Sequence, residues 1–247
     1  MNWIGIAAVG LAVGFLGGLF GKGGSAIATP LLHALGVPAI VAVAAPLPAT
    51  IPSTLVASAA YWRARLVDRE VLVWSVAFGV PFTVAGAVAT RWVSGGVLVS
   101  VTDVIVAGLG LRFLLAPGDP HEITVEPSLF HLRLAVVASV TGLASGLLAN
   151  SGGFLLAPLY LAVLRLPLKT SFACSLAVAA VLAVPGTIVH AALGHIDWRV
   201  VAVFGTFSVP FSYLGARVAL HADSARLERI YGGVLTVLGV GFLVANR

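Results

Sequence analysis

Long apolar runs occupy most of this chain and restrict it to folds that cross a lipid bilayer. A helix of about 20 apolar residues spans the hydrocarbon core, which is about 30 Å thick. Charged residues make up only 9% of the 247 residues, against roughly 25% in soluble domains. The chain is therefore predicted to be an all-α polytopic membrane protein. The eight runs cover residues 3–20, 39–62, 71–92, 96–116, 132–149, 168–193, 200–220 and 230–246.

Two shorter apolar runs, residues 25–35 and 154–164, each follow a glycine-rich stretch. We call residues 17–25, with the sequence GGLFGKGGS, the first break, and residues 145–153, SGLLANSGG, the second break. A helix of this length reaches about 16 Å, roughly half the core. Backbone groups freed inside lipid must be satisfied by protein or by a filled cavity. The short runs are therefore predicted to be re-entrant half-helices beside a binding site, although two full crossings remain an alternative.

The chain also repeats itself. Gly14, Gly18, Gly24 and Pro30 recur 128 residues later, at Gly142, Gly146, Gly152 and Pro158. After one insertion near Leu164 the offset becomes 129, so that Pro38, Asp68, Pro81 and Gly86 recur at Pro167, Asp197, Pro210 and Gly215. We interpret the chain as a tandem duplication. Its predicted parts are a first repeat, residues 1–116, an inter-repeat loop, residues 117–131, and a second repeat, residues 132–247.

The basic residues favour one orientation of these repeats. If each short run returns the chain to the face it came from, Arg91, Arg199 and Arg247 lie on one side. The opposite side then holds Arg63, Arg65, Arg69, Arg112, Arg133, Arg165, Lys169, Arg217, Arg226 and Arg229. In the rival topology, the first run crosses the membrane fully and the short run does not, and the basic residues divide evenly between the two sides. The positive-inside rule favours the unequal division. This predicts two inverted-topology repeats, with about eight long transmembrane helices, two short re-entrant half-helices, and both termini in the periplasm.

The two breaks supply most of the predicted binding residues. Glycines let a backbone approach a ligand closely, and the N–H groups of a helix N-terminus attract an anion. Lys22 would add a positive charge there. Alternatively, the small residues only permit helix packing, and Lys22 extends to the interface. The predicted substrate-binding set is Gly21, Lys22, Gly23, Gly24, Ser25, Asn150, Ser151, Gly152, Gly153, Thr50, Cys174 and Ser175.

Three ionisable residues within apolar runs are candidates for proton coupling: Asp103, His33 and His190. An acid inside the membrane is a candidate proton or ion ligand, and histidine titrates near neutral pH. Asp103 could equally be solvated, and each histidine could be a packing residue. A serine hydrolase using Ser151 with His190 or His195 is an alternative with little support, because a nucleophile needs its base within hydrogen-bonding reach.

Composition limits the remaining partners. The single cysteine excludes an intrachain disulfide and a multi-cysteine metal site, and we predict no cofactor. The net charge of +5 fits basic loops of a membrane protein better than a nucleic-acid surface. The expected partners are a small anion and the lipid bilayer. The glycines at 108 and 110 could pack against a second copy in a homodimer, although the same pattern also serves packing within one chain.

At the breaks the chain resembles the sulfite exporter TauE/SafE family of membrane permeases. The resemblance rests on three features: the first break with the Pro30-Leu31-Leu32 that follows it, the Leu35-Gly36-Val37-Pro38 turn, and the second break with Ala157-Pro158-Leu159. It implies a secondary transporter of sulfite, sulfonates or other small organic anions in a bacterial inner membrane, rather than an enzyme. It also implies binding roles for Gly21, Gly23, Gly24, Ser25, Asn150, Ser151, Gly152 and Gly153. Lys22 departs from the usual first motif, and a passive channel or scaffold is the alternative function.

Overall fold

The computed structural model describes residues 1–21, 25–94, 127–149, 151–227 and 229–230, together with isolated positions 97, 104, 108, 111, 233 and 237. The regular secondary structure within these residues is helical, as predicted, and loops connect the helices. The helices are α1 Trp3–Phe20, α2 Ser25–Ala34, α3 Ala39–Ala44, α4 Pro46–Arg63, α5 Arg69–Ala89 followed by a 3₁₀ turn Thr90–Trp92, α6 Pro127–Leu147, α7 Gly153–Ala162, α8 Leu168–Ala192 and α9 Trp198–His221.

Six helical segments of this described part are long and apolar enough to cross a membrane. They are α1, α3 and α4 taken together, α5 with its 3₁₀ turn, most of α6, α8 and α9. These correspond to six of the eight predicted long runs. The other two predicted spans, residues 96–116 and 230–246, lie outside the described residues except at isolated positions. The protein is therefore a multi-pass, all-α membrane protein.

Two helix boundaries differ from the sequence prediction. The single predicted run 39–62 forms two helices that meet at Ala45, and Pro46 takes the first position of α4, where its missing N–H removes no helical bond. Helix α6 begins at Pro127, so it includes the last residues of the predicted loop 117–131. The 25–35 and 154–164 runs do form short helices, α2 and α7.

The glycines of α1 bring it into close contact with α9. A β-carbon at Gly14 or Gly18 would overlap the carbonyl oxygen of Ser208 or Ser212, respectively. Because the positions in contact rise together along both helices, α1 and α9 run parallel. Small residues at such crossings let two backbones pack closely, as is common in membrane proteins.

The same crossing recurs between α6 and α5. A β-carbon at Gly142 would overlap the carbonyl oxygen of Gly79, and one at Gly146 would overlap that of Thr83. Gly142 and Gly146 correspond to Gly14 and Gly18 under the offset of 128. Gly79 and Thr83 correspond to Ser208 and Ser212 under the offset of 129. Each half of the chain therefore places its first helix against the last described helix of the other half.

Helices α4 and α8 occupy corresponding positions in the two halves and pack against each other. Leu47 near the start of α4 contacts Gly186 near the end of α8. Leu176 near the start of α8 lies beside Thr50, Ser53 and Thr54 of α4, around one small cavity. The two helices therefore run antiparallel.

Candidate functional site

The two breaks meet at one side chain of α8. The Ser175 hydroxyl lies 2.7 Å from the carbonyl oxygen of Gly21, at the end of α1, and 3.1 Å from that of Gly153, the first residue of α7. A hydroxyl has one hydrogen to donate, so the two carbonyls share it. Three residues that the sequence predicts as substrate-binding, Gly21, Gly153 and Ser175, are thus brought together.

The first break turns sharply out of α1. Gly21 has a φ of +68°, and its N–H donates to the carbonyl of Gly17. A β-carbon at Gly21 would lie 2.5 Å from the Cα of Phe172, so both the backbone conformation and the close approach to α8 require glycine. Lys22, Gly23 and Gly24 lie outside the described residues, and α2 begins at Ser25.

The second break also leaves its helix through a residue with a positive φ, but that residue is an alanine instead of a glycine. Ala149, which the offset of 128 pairs with Gly21, also has a positive φ of 45°. Its N–H donates to the Gly146 carbonyl at 3.2 Å. Gly152, with a φ of +73°, caps α7 and is followed by Gly153. Ser151 is fully buried between them, and Asn150 lies outside the described residues.

The surroundings of the breaks are apolar. Phe20 from the first break shares one hydrophobic cluster with Ala149 from the second break, with Phe154 at the start of α7 and with Phe172 of α8. All four side chains are at most 2% exposed. A charged ligand here would interact with helix termini at much lower dielectric screening than in water.

A hydroxyl-lined cavity lies beside the first break, between α1, α4 and α9. Its volume is about 10 Å³, close to the minimum that holds one water. Ser53 and Ser208 hydroxyls lie 3.0 Å apart, and the Ser212 hydroxyl donates to the Ser53 carbonyl at 2.7 Å. Thr50, predicted from the sequence as a binding residue, lines this cavity and donates to the Pro46 carbonyl at 3.0 Å.

Sequence reasoning did not identify Ser208 and Ser212 as part of this cavity. The signal that could have found them is their four-residue spacing, continued by Ala216, which forms a stripe of small residues on α9. That stripe faces the glycines of α1. The repeat offset alone would have missed the cavity, because the matching positions in α5 are Gly79 and Thr83.

Two other predicted residues lie away from the breaks. The thiol of Cys174 faces the start of α5, where the Asp68 N–H donates to its Sγ at 3.3 Å. His33 is exposed, and its Nδ1 lies 3.2 Å from the carbonyl oxygen of Val37. Asp103 lies outside the described residues. The structure therefore does not bring Cys174 or His33 to the carbonyls that Ser175 joins.

His190 lies next to the second break. Its Nε2 is 3.4 Å from the carbonyl oxygen of Gly146, and its Nδ1 is 3.0 Å from the Nδ1 of His195. The His190 side chain is fully buried, whereas His195 is half-buried in the loop between α8 and α9. Partial burial lowers the pKa of His195, because it disfavours the charged imidazolium.

These features define a class of protein. Paired helix crossings, helices broken inside the apolar region and a buried polar contact between the breaks are typical of membrane transporters. The sulfite exporter TauE/SafE family matches residues 6–242. The chain therefore belongs to the sulfite exporter TauE/SafE family, which confirms the resemblance, and it is a membrane transporter rather than an enzyme.

Similarity to individual proteins agrees with this assignment. A "Probable membrane transporter protein" of Xylella fastidiosa (strain 9a5c) is 28% identical over 95% of this chain and 92% of its own length. "Probable membrane transporter protein YjnA" of Bacillus subtilis (strain 168) is 24% identical over 96% of this chain and 98% of its own length. No solved structure matches the chain significantly.

Proposed function

We propose that this protein is a secondary transporter that moves a small sulfur oxyanion, sulfite or a sulfonate, across a bacterial inner membrane. The substrate is held between the two breaks near the bilayer midplane. The observation that carries this proposal is the Ser175 hydroxyl, which contacts the carbonyls of Gly21 and Gly153 together. Two broken helices that meet in an apolar interior form the kind of site that transporters use.

Inverted repeats are the second part of the proposal. The antiparallel arrangement of α4 and α8, which correspond under the 129-residue offset, supports it. The re-entrant form of the short helices is supported by Leu35, just after α2, whose side chain would lie 3.0 Å from a β-carbon at Gly5. Helix α2 thus returns the chain to the level at which α1 begins. Together with the bias of basic residues, this orientation supports a periplasmic location for both termini.

The preference for an anion follows from the charges at the breaks. Helix N-termini carry partial positive charge, and α2 and α7 begin at Ser25 and Gly153, the last residues of the two breaks. Lys22 contributes a full positive charge to the first break in the sequence. No carboxylate occurs in residues 17–25 or 145–153. The family description names sulfite, and sulfonates share its charged sulfur–oxygen group.

Anion exchange tests this function directly. Purified protein is reconstituted into liposomes preloaded with unlabelled sulfoacetate, and entry of radiolabelled sulfoacetate is followed without any pH gradient. We expect exchange that saturates with concentration and that excess sulfite slows more than excess acetate does. Protein-free liposomes are the control.

Two results would contradict the proposal. Flux that rises linearly with concentration, without saturation, would indicate a passive channel. Absence of exchange for sulfoacetate, sulfite and sulfate alike would exclude small sulfur oxyanions as substrates.

A further inference from the structure

The contact between His190 and His195 is built into the end of α8. Gly194 has a φ of +72°, and the His195 N–H donates to the His190 carbonyl at 3.0 Å. This turn ends the helix and folds His195 back over its last turn. The rings then lie with their Nδ1 atoms 3.0 Å apart. The pairing is therefore fixed by the backbone as well as by the side chains.

The network assigns the neutral tautomers. Only an N–H can bond a carbonyl oxygen, so the Nε2 of His190 carries the proton that faces Gly146. The Nδ1 of neutral His190 is then an acceptor, and the Nδ1–H of His195 must be the donor. This leaves the Nε2 of His195 as an unprotonated nitrogen on a half-buried side chain at the end of the bundle.

Other ionisable groups of the helices around α8 lie at its opposite end. Helices α5 and α6 run parallel to α8 and α4 runs antiparallel, so their charged residues are a helix length from His190. Within the described residues these groups are Tyr61 and Arg63 on α4, Arg69 and Glu70 on α5, His131 and Arg133 on α6, Tyr160 on α7, and Lys169 and Cys174 on α8. At the end occupied by His190, Arg91 follows α5 and stacks over Trp92, and Asp197 caps α9.

We propose that His190 and His195 together form the proton-binding site of this transporter. The pair takes up one proton at the face of the membrane where α8 ends. Its positive charge then lies beside the Gly146 carbonyl at the second break. This inference rests on the proposed transport function and names its coupling ion. Under the 129-residue offset Tyr61 stands at the position of His190, so the first half has no matching histidine.

The proton step is balanced within the two rings. A proton from water binds the Nε2 of His195, and the Nδ1 proton of His195 is shared with the Nδ1 of His190 across the 3.0 Å between them. The single positive charge is therefore divided between the two rings, and His195, the less buried ring, carries its larger part. A second proton would set two N–H groups against each other across 3.0 Å, so the pair holds one proton.

The Gly146 carbonyl links this proton to the substrate site. It accepts the Ala149 N–H at 3.2 Å as well as facing the Nε2 of His190, and Ala149 is the residue that turns the chain out of α6. A cationic donor makes a stronger hydrogen bond than a neutral one. Protonation therefore strengthens the contact that holds the second break, and deprotonation weakens it.

Nuclear magnetic resonance of the detergent-solubilised protein with ¹⁵N-labelled histidine tests the pair without any substrate. Assignment uses His190→Gln and His195→Gln. We expect His190 in the Nε2–H form and His195 in the Nδ1–H form at about pH 8. The two rings together should gain only one proton as the pH falls, at a pH below the usual histidine range, because burial lowers the pKa of His195. Two independent titrations, or the Nδ1–H form of His190, would overturn the proton-binding site.

Gradient-driven accumulation of radiolabelled sulfoacetate tests the coupling. His190→Gln and His195→Gln should each lower accumulation under a pH gradient by at least about tenfold, and by more than they lower gradient-free exchange. The matched control is His221→Gln, since His221 is exposed and its Nδ1 lies 2.8 Å from the Arg217 carbonyl oxygen of its own helix; it should retain both activities.

The two measurements separate the claims. Unchanged accumulation by His190→Gln would overturn coupling at this pair. Absence of exchange by the unmodified protein would contradict the transport function, and the magnetic resonance titration would still decide whether the pair binds one proton.

Discussion

Replacement of Gly18 by valine is expected to abolish the folded protein. A β-carbon at this position would overlap the carbonyl oxygen of Ser212 and lie 2.7 Å from its carbonyl carbon. Those are backbone atoms of α9, which cannot move aside as a flexible side chain does. Helix α1 would have to separate from α9 along the crossing, and we expect the loss to exceed about 3 kcal/mol of unfolding free energy.

Size-exclusion chromatography and thermal unfolding in detergent measure this effect. Gly146→Val should be equally damaging, because Gly146 makes the same approach to Thr83 in the second half. The control is Gly205→Ala on α9, where the added carbon would meet only the β-carbon of Ala49, at 3.3 Å. A monodisperse Gly18→Val protein with unchanged unfolding temperature would contradict the parallel close packing of α1 and α9.

Replacement of Ser175 by alanine is expected to lower sulfoacetate exchange by about tenfold or more while leaving the protein folded. Its hydroxyl is the donor shared by the carbonyls of Gly21 and Gly153. Loss of a donor to buried carbonyls costs about 1–3 kcal/mol, and the two breaks would no longer be held against the same point of α8. Ser175 acts as a positioning residue in this account.

Ser171→Ala is the matched control for this effect. Ser171 is a buried serine one turn earlier on α8, and its hydroxyl contacts the Leu166 carbonyl at 3.3 Å, away from both breaks. The Ser171→Ala protein should lose about as much stability as the Ser175→Ala protein, and it should exchange sulfoacetate at the rate of the unmodified protein. If Ser175→Ala and Ser171→Ala exchange equally fast, the contact between the breaks does not shape the substrate site.

The sequence was sufficient to predict the helical class and the two short helices, α2 and α7. Apolar length indicates membrane spans, and a glycine cluster followed by a short apolar run indicates an interrupted helix, because both depend on residues close together in the chain. The repeat offset also anticipated that Gly18 and Gly146 play equivalent roles. The structure shows this equivalence at the two helix crossings.

Side-chain partners distant in sequence could not be predicted in the same way. Ser175 meets Gly21 across 154 positions, and Ser53 meets Ser208 across 155. Neither pairing leaves a periodic pattern, since each depends on how α1, α4, α8 and α9 are placed. Cys174 illustrates the limit: it is adjacent to Ser175 in the chain, yet its thiol faces Asp68, the residue that caps α5, because neighbouring helical residues point about 100° apart.

Protection of both breaks by a bound anion tests the central claim most directly. In a Cys174→Ala background, which removes the single native cysteine, Ser25→Cys in the first break and Asn150→Cys in the second are labelled with N-ethylmaleimide. The control is Ser224→Cys, which is exposed beyond α9. We predict that sulfoacetate at ten times its dissociation constant slows labelling at both breaks by about tenfold and leaves Ser224→Cys unchanged. Protection at one break only, or at neither, would contradict a substrate held between them.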